Sequence, residues 1–241
     1  MSEPVSEQLK AGQKARAITL EVVSATRLSE EEFWSNSALG QSLACFGHDR
    51  CLVTRISYAN ERGLPEVYNE SISASNDHDI LLFVHDDVWL SDYFLVDRLV
   101  DSLEQFDVVG VAGNRRRSAQ QIAWFSTGNN LTPDFGNLSG VVGHGKGPFE
   151  GAKYFGDAPV ECELLDGVLL AAKKATLRAN GVLFDPRFSF HFYDMDFCRT
   201  ARLNHLRLGT CRISVTHQSG GNFTSPAWWA GCAAYLAKWG S

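Results

Sequence analysis

The chain has no apolar run long enough to cross a membrane and no cysteine spacing typical of a zinc finger. Its 241 residues are 44% hydrophobic and 21% charged, and no stretch approaches the roughly 20 apolar residues of a membrane-spanning helix. Residues 1–14 lack the apolar centre of a secretory signal peptide. The six scattered cysteines include no C-x-x-C pair, which is typical of buried thiols in a reduced protein. We therefore expect a cytoplasmic protein without a membrane span.

The sequence also lacks internal boundaries. No proline- or serine-rich linker, block of like charge, internal repeat or low-complexity tract interrupts it. This predicts a single domain over residues 17–241, preceded by a loose polar tail over residues 1–16. The net charge of −6 argues against non-specific binding to nucleic acid, because such binding depends on lysine and arginine neutralising phosphates. We expect no nucleic-acid partner.

Strand and helix patterns alternate over the first half of the chain. The strand candidates are residues 18–24, 51–57, 80–84 and 108–112. Each helical pattern between them has a recognisable start: a Ser29-x-x-Glu32 capping box for a helix to about Leu43, Pro65 in the first turn of the next, and Ser91 or Asp92 as a cap for the third. This alternation predicts an α/β protein whose mostly parallel sheet is flanked by helices.

The second half is less regular. Residues 136–156 contain seven glycines, and a segment so rich in glycine is more typical of a mobile functional loop than of regular structure. A late strand is expected over residues 212–217, with His217 at its end.

The most informative motif is His85-Asp86-Asp87, which closes the buried strand 80–84. In open α/β sheets, ligands bind at the carboxyl ends of such strands. Two adjacent carboxylates there need a cation, a hydrogen-bonding ligand or water to offset their repulsion. An isolated Asp-Asp pair is more often part of a solvated loop, so this motif needs support from other residues.

Two further clusters supply that support. Asp194 and Asp196 lie among aromatic residues at the start of a predicted helix. A helix N-terminus stabilises a carboxylate there by about 0.3–1 kcal/mol, but burial among aromatic rings would raise its proton affinity and suit it to act as a base. His217, at a strand end before Gly220-Gly221, has the placement of a histidine bonded to backbone or to a metal ion.

Taken together, these segments resemble the family 2-like nucleotide-sugar glycosyltransferases of the GT-A fold, over about residues 18–222. The order and spacing of the motifs carry the resemblance. The motifs are Gly63-Leu64-Pro65-Glu66-Val67-Tyr68-Asn69, Phe83-Val84-His85-Asp86-Asp87-Val88, the run from Leu164 to Lys174, Phe184-Asp185-Pro186-Arg187-Phe188, Tyr193-Asp194-Met195-Asp196-Phe197 and Val215-Thr216-His217.

The resemblance implies binding roles for particular residues. It places Asn69 and Asp86 beside the nucleotide, with Asp86 towards the ribose, and Gly167 beside the donor sugar. It makes Asp87 and His217 ligands of a divalent metal ion, Mn²⁺ or Mg²⁺. The nucleotide-binding half would then cover about residues 17–120 and the acceptor half about 121–241.

The resemblance also implies a reaction. A metal-dependent, inverting glycosyltransferase would move a sugar from a nucleotide-diphosphate sugar, most commonly a UDP-sugar, to a hydroxyl of a saccharide, lipid-linked or protein acceptor. Asp194 would be the catalytic base, with Asp196 as the second candidate. Two residues depart from the family pattern: His85 stands where the first Asp of D-x-D is usual, and Tyr193 stands where a Glu is common.

Two other functions fit parts of the pattern. A domain that binds a nucleotide sugar without turnover needs the same fold, although the presence of both Asp87 and Asp194 argues against a decayed site. His85, Asp87 and His217 also match the two-histidine, one-carboxylate set of non-haem iron oxygenases. Those enzymes are largely antiparallel jelly rolls, whereas the element order here predicts a parallel α/β sheet.

Overall fold

The computed structural model describes residues 18–240, so the predicted tail over residues 1–16 lies outside the described part of the chain. That part contains seven helices and thirteen strands. The helices are α1 (Glu30–Asn36), α2 (Ala38–Cys45), α3 (Leu64–Ser73), α4 (Leu95–Gln105), α5 (Lys174–Ala179), α6 (Tyr193–Leu203) and α7 (Pro226–Trp239). The strands are β1 (Leu20–Ala25), β2 (Leu52–Ser57), β3 (Ile80–Val84), β4 (Val88–Leu90), β5 (Val108–Gly110), β6 (Ala112–Asn114), β7 (Leu138–His144), β8 (Lys153–Gly156), β9 (Glu161–Cys162), β10 (Leu164–Leu165), β11 (Leu169–Lys173), β12 (Leu208–Thr210) and β13 (Val215–His217).

The larger sheet has seven strands in the order β2-β1-β3-β11-β5-β12-β9. Strand β1 is parallel to β2 and β3, and β12 is parallel to β5. Strand β11 runs antiparallel to both of its neighbours, β3 and β5, so these two point the same way. Five of the seven strands therefore share one direction, while β11 and β9 oppose it. The predicted α/β class with a mostly parallel sheet is confirmed.

A smaller sheet with the strand order β10-β6-β7-β13-β4 lies beyond the ends of the larger one, and β8 pairs with β7. The fourth predicted strand, residues 108–112, contributes to both sheets: it is interrupted at Val111, and β5 and β6 pair with different partners. The predicted late strand shortens to β13, which pairs with β4 and β7.

The glycine-rich segment 136–156 corrects the sequence-based expectation, because most of it is the β7–β8 hairpin and not a loop. Two of its glycines allow neighbouring segments of backbone to approach each other closely. A Cβ on Gly140, where φ is 102°, would lie 2.0 Å from the Val111 carbonyl oxygen, and one on Gly156 would lie 2.2 Å from that of Leu138. Only glycine permits the φ of Gly140 and these short distances, so these two residues allow the strands to pair.

Two helices also differ in detail from the prediction. The capping box of Ser29 and Glu32 is present, but the helix is divided at Ser37, whose hydroxyl accepts from the Gly40 amide and starts α2. Helix α4 begins at Leu95, because the Asp92 carboxylate accepts hydrogen bonds from Phe94 N and from the Arg98 side chain instead of capping at its own position.

The core is one cluster of buried apolar side chains that includes both faces of β3 and the inner faces of α3, α4, α6 and α7. Four of the six cysteines are buried and all six are free thiols, as expected for small apolar residues. No helix within residues 18–240 combines the length and the apolar content that a bilayer-spanning segment needs.

Candidate functional site

Segments from distant parts of the sequence meet at one edge of the larger sheet. Residues 85–87 follow β3 at its carboxyl end. Because β11 runs antiparallel to β3, with Leu169 opposite Val84, the residues that precede β11 reach the same edge. The His85 amide donates to the Val168 carbonyl at 3.4 Å, which joins the two segments directly.

The register of the smaller sheet brings His217 to this edge. Strand β13 is antiparallel to β4 with His217 opposite Val88, the residue after Asp87. His217 Nε2 lies 3.1 Å from Asp87 Oδ1, and the Gln218 amide donates to the Asp87 carbonyl at 2.9 Å. One ligand atom from each of His85, Asp87 and His217 lies within 4.8 Å of the others. These three side chains form what we call the His-Asp-His cluster.

Charges within the cluster stabilise one another. Burial would raise the pKa of Asp87, but the hydrogen bond and charge of His217 outweigh it and lower that pKa to about 2. Burial also opposes the charged form of His217, yet its hydrogen bond to Asp87 raises its pKa above the usual value. For His85, burial dominates and lowers the pKa to about 4, so this imidazole is neutral at physiological pH.

Asp194 lies in the first turn of α6 and faces the same region. Its Oδ2 accepts from the Gly167 amide at 3.0 Å and its Oδ1 from the Met195 amide at 2.8 Å. Burial and the nearby charge of Asp166 outweigh these hydrogen bonds and raise the pKa of Asp194 to about 7. A carboxyl group with such a pKa exchanges protons readily at neutral pH, as a general base must.

Gly167 sets the distance between β11 and the start of α6. A Cβ at this position would lie 2.5 Å from Tyr193 Oη and 2.8 Å from Asp194 Cβ. Its carbonyl accepts a hydrogen bond from Tyr193 Oη at 2.7 Å, and Tyr193 Oη lies 2.8 Å from His85 Nε2. Gly167 and Tyr193 therefore connect the His-Asp-His cluster to the helix that presents Asp194.

The residue before α6 has a strained backbone. Phe192 has φ 67°, a left-handed conformation that costs a side chain other than glycine roughly 1–2 kcal/mol. Its ring is held against Trp228 and Tyr235 of α7, with centroid distances of 5.2 and 5.3 Å. Helix α7 thus fixes the turn from which Asp194 projects, and strain of this kind is typical of functional sites.

A cavity of about 310 Å³ opens over these residues, and we call it the main cavity. The predicted residues Asp86, Asp87, Gly167, Asp194 and His217 all line it. A second cavity of about 270 Å³, next to the end of β1, shares Asp86 and Phe190 with it. An aromatic side cavity of about 150 Å³, lined by Trp124, Phe125, Phe155 and Phe223 among others, adjoins it at Asp166 and His217.

Comparison with known proteins gives a match in structure alone. No protein-family model and no curated protein sequence matches the chain. GalNAc-T7, solved with UDP, GalNAc and Mn²⁺, matches 93% of this chain with a TM-score of 0.52 and 11% identity. GalNAc-T7 is a GT-A glycosyltransferase. The chain has the GT-A fold.

Other solved structures with the GT-A fold match more loosely. Residues 1–349 of Staphylococcus aureus TarS match over 83% of this chain, with 13% identity and a TM-score of 0.46. The catalytic domain of Drosophila β1,4-galactosyltransferase 7, solved with xylobiose, matches over 90%, with 11% identity and a TM-score of 0.48. The chain spans 60% of the TarS structure, 48% of the GalNAc-T7 chain and 79% of the Drosophila domain.

Two residues that the resemblance assigned to the GT-A site lie outside the main cavity. The Asn69 side-chain amide exchanges two hydrogen bonds with the Phe184 backbone, at 2.8 and 2.9 Å, so both of its polar ends serve a contact within the fold. Asp196 is fully buried beneath α7, where Lys238 Nζ lies 2.7 Å and Trp239 Nε1 lies 2.6 Å from its Oδ1. Its placement gives no support to a role as the base.

Two further residues that line the main cavity, Asp166 and Phe190, were given no site role from the sequence. Asp166 lines the main cavity and raises the pKa of Asp194 by its charge. Phe190 stacks on His85, with ring centroids 5.8 Å apart. Asp166 follows the short strand β10, and a polar residue after a buried Leu-Leu pair was the available signal. Within the run from Leu164 to Lys174, the resemblance implies a site role only for the neighbouring Gly167.

Proposed function

We propose that this protein is a metal-dependent, inverting glycosyltransferase that moves a sugar from a nucleotide-diphosphate sugar to a hydroxyl acceptor. One observation carries the proposal: on a GT-A fold, a cluster of metal-ligating side chains and a carboxyl group with a pKa near 7 line the same cavity. An enzyme of this kind needs a cation on the leaving group and a base on the acceptor, at the same cavity.

The donor set of the His-Asp-His cluster fits a divalent cation. Asp87 is ionised, and the two histidines offer ring nitrogens at short range. Asp87 and His217 would hold the ion, and the ion supplies the positive charge that stabilises a departing nucleoside diphosphate. The GalNAc-T7 structure was solved with Mn²⁺ and UDP, which supports the choice of a divalent ion and a uridine nucleotide here.

We assign the nucleoside to the cavity beside the end of β1. Thr26, Arg27 and Asn60 line that cavity with Asp86, which offers polar groups to a ribose and a base. Burial raises the pKa of Asp86, against a hydrogen bond from Thr26, and the carboxylate oxygens of Asp86 would accept hydrogen bonds from a ribose hydroxyl. The diphosphate would then extend towards Asp87 in the main cavity.

Asp194 is assigned as the base. It takes the proton of the acceptor hydroxyl while that oxygen forms a bond to the anomeric carbon and the bond to the nucleoside diphosphate breaks. Because the acceptor attacks from the side opposite the leaving group, a single step inverts the anomeric centre. The hydrogen bonds from Gly167 and Met195 hold the carboxylate in one orientation, and this leaves a lone pair of each oxygen for the incoming hydroxyl.

The aromatic side cavity is the proposed place for the rest of the acceptor. It adjoins the main cavity at Asp166 and His217, and its rings offer flat apolar surfaces of the kind that stack on the C–H faces of sugars. We therefore favour a saccharide acceptor over a protein. A lipid-linked saccharide would use the same rings.

The two-histidine, one-carboxylate cluster also suits a non-haem iron oxygenase. This alternative has the ligand set in its favour, but the GT-A architecture, with β11 inserted between co-directional strands, differs from an antiparallel jelly roll. A nucleotide-sugar-binding domain without turnover remains the second candidate because fold alone does not establish catalysis.

Isothermal titration calorimetry with UDP, with and without Mn²⁺, tests the proposal. We expect Mn²⁺ to tighten UDP binding at least tenfold, and Asp87→Asn to abolish that gain because it removes the ionised ligand. Asp97→Asn, the same substitution at an exposed position in the first turn of α4, is the control and should bind as the wild type does.

A panel of nucleotide sugars, assayed by thermal shift and then for transfer to saccharides, identifies the donor. Metal-independent nucleotide binding, or no binding, would contradict the assignment.

A further inference from the structure

The hydrogen bonds around Tyr193 determine which nitrogen of His85 is free. The Tyr193 hydroxyl has one proton, and it donates this proton to the Gly167 carbonyl, which has no proton to give. Towards His85 the same hydroxyl can therefore only accept, so His85 Nε2, at 2.8 Å, carries a hydrogen. A neutral imidazole with its hydrogen on Nε2 has an unprotonated Nδ1, and this is the form that binds a metal ion.

We infer that His85, through Nδ1, is a third protein ligand of the metal ion beside Asp87 and His217, and that Tyr193 is the positioning residue that fixes its tautomer. At position 85 the family that the sequence resembles usually has an aspartate. A divalent ion about 2.1 Å from each ligand holds neighbouring ligand atoms about 3 Å apart. The 3.1 Å between Asp87 and His217 already meets this spacing, and a ring nitrogen of His85 lies within 4.8 Å of both of their ligand atoms.

A ligand set of two imidazoles and one carboxylate prefers different metal ions from a set of carboxylates alone. Imidazole favours first-row transition metals, whereas Mg²⁺ and Ca²⁺ favour oxygen ligands and retain their water. With three protein ligands, the site also needs no phosphate oxygen to hold the ion. The protein therefore binds Co²⁺, Zn²⁺ and Mn²⁺ in the absence of nucleotide and discriminates against Mg²⁺.

This inference rests on the proposed function for what the ion does. Its test uses the metal ion alone, so the inference and the proposed function can be contradicted independently. Co²⁺ is titrated into the full chain without nucleotide, and its visible absorption and heat of binding are followed. We expect saturable binding at least 100-fold tighter than that of Mg²⁺. His85→Gln should weaken Co²⁺ binding at least tenfold, and Tyr193→Phe about tenfold, as expected when a residue that orients a ligand is lost.

His144→Gln is the matched control. The His144 ring lies 6.2 Å from that of His217, but His144 is outside the His-Asp-His cluster, so its loss should leave Co²⁺ affinity unchanged. Circular dichroism verifies that each variant is folded. The ¹⁵N chemical shifts of His85 in the metal-free wild type give a readout that needs no variant, and we expect the tautomer with hydrogen on Nε2. Equal affinity for Mg²⁺ and Co²⁺, wild-type affinity in His85→Gln, or hydrogen on Nδ1 would each overturn the inference.

Discussion

His85 and Tyr193, the two residues that depart from the resembled pattern, are neighbours in space. They lie 108 positions apart in the sequence, yet their polar atoms are 2.8 Å apart. Two carboxylates at that distance would repel each other unless they shared a proton, whereas an imidazole and a phenol attract. The sequence marks each residue as an exception, and the structure shows that the two exceptions form one pair.

The sequence predicts those residues of the candidate site whose position follows from the strand that precedes them. Asp86 and Asp87 follow a buried strand, and their place at the sheet edge follows from that strand alone. Asp194 and Asp196 show the limit. Successive residues of a helix are about 100° apart, so two carboxylates two positions apart point in nearly opposite directions. The motif identified both, but only packing against α7 decides that Asp194 faces the cavity.

The pKa of Asp194 predicts the acid limb of the pH–rate profile. A general base works only when deprotonated, and burial with the charge of Asp166 raises this pKa to about 7. We expect the turnover rate to rise roughly tenfold per pH unit below about 7 and to level off above it. Single-turnover transfer assays between pH 5 and 9 measure this profile.

Asp194→Asn is the control for that profile. It should reduce turnover at least 100-fold at every pH and leave UDP affinity within twofold, because the base acts on the transition state. Since an amide nitrogen cannot accept, the variant satisfies only one of the two backbone amides at this position, and its melting temperature shows whether the fold tolerates the loss. Turnover within tenfold of the wild type would exclude Asp194 as the base.

At the scale of elements, most strands and helices follow from periodicity, and the exceptions have local causes. The sequence predicted β3 with its exact bounds because five apolar residues in a row, buried on both faces, have few alternatives. It misread the β7–β8 hairpin because glycine is equally typical of loops and of strands that approach closely. The partner that required Gly140, the Val111 carbonyl, is 29 residues away, so no local pattern reports it.

The link between α6 and α7 should contribute measurably to stability. Asp196 is fully buried and Lys238 is its partner at 2.7 Å. Lys238→Met leaves a buried carboxylate without its cation, and breaking such a pair costs about 3 kcal/mol. Urea unfolding measures the loss. Lys146→Met, at an exposed lysine of the β7–β8 hairpin, is the matched control, and an equal effect of the two variants would show that the buried pair contributes nothing.

At the scale of the whole molecule, the sheet order interleaves the two predicted halves. Strand β11, from the acceptor half, lies between β3 and β5 of the nucleotide half. The sequence predicted the α/β class because alternation of elements is local information. It did not predict the central position of β11, because pairing between distant strands depends on contacts that no short segment encodes.

The single domain predicted over residues 17–241 should unfold in one transition. Each half shares its sheet and its core with the other, so neither half has a core to retain once the other is lost. We expect the urea transitions followed by far-ultraviolet circular dichroism and by tryptophan fluorescence to coincide. Two separated transitions would instead show that the halves are independent domains.

The position of β11 also has a consequence for synthesis on the ribosome. When residues up to β5 have emerged, the two strands that will flank β11 have no hydrogen-bonding partner between them, and exposed strand edges of this kind favour aggregation. The sheet closes only after Lys173 has left the exit tunnel. A nascent or truncated chain that stops near residue 120 is therefore expected to depend on chaperones. A chain that extends past α5 contains β11, which pairs with both β3 and β5.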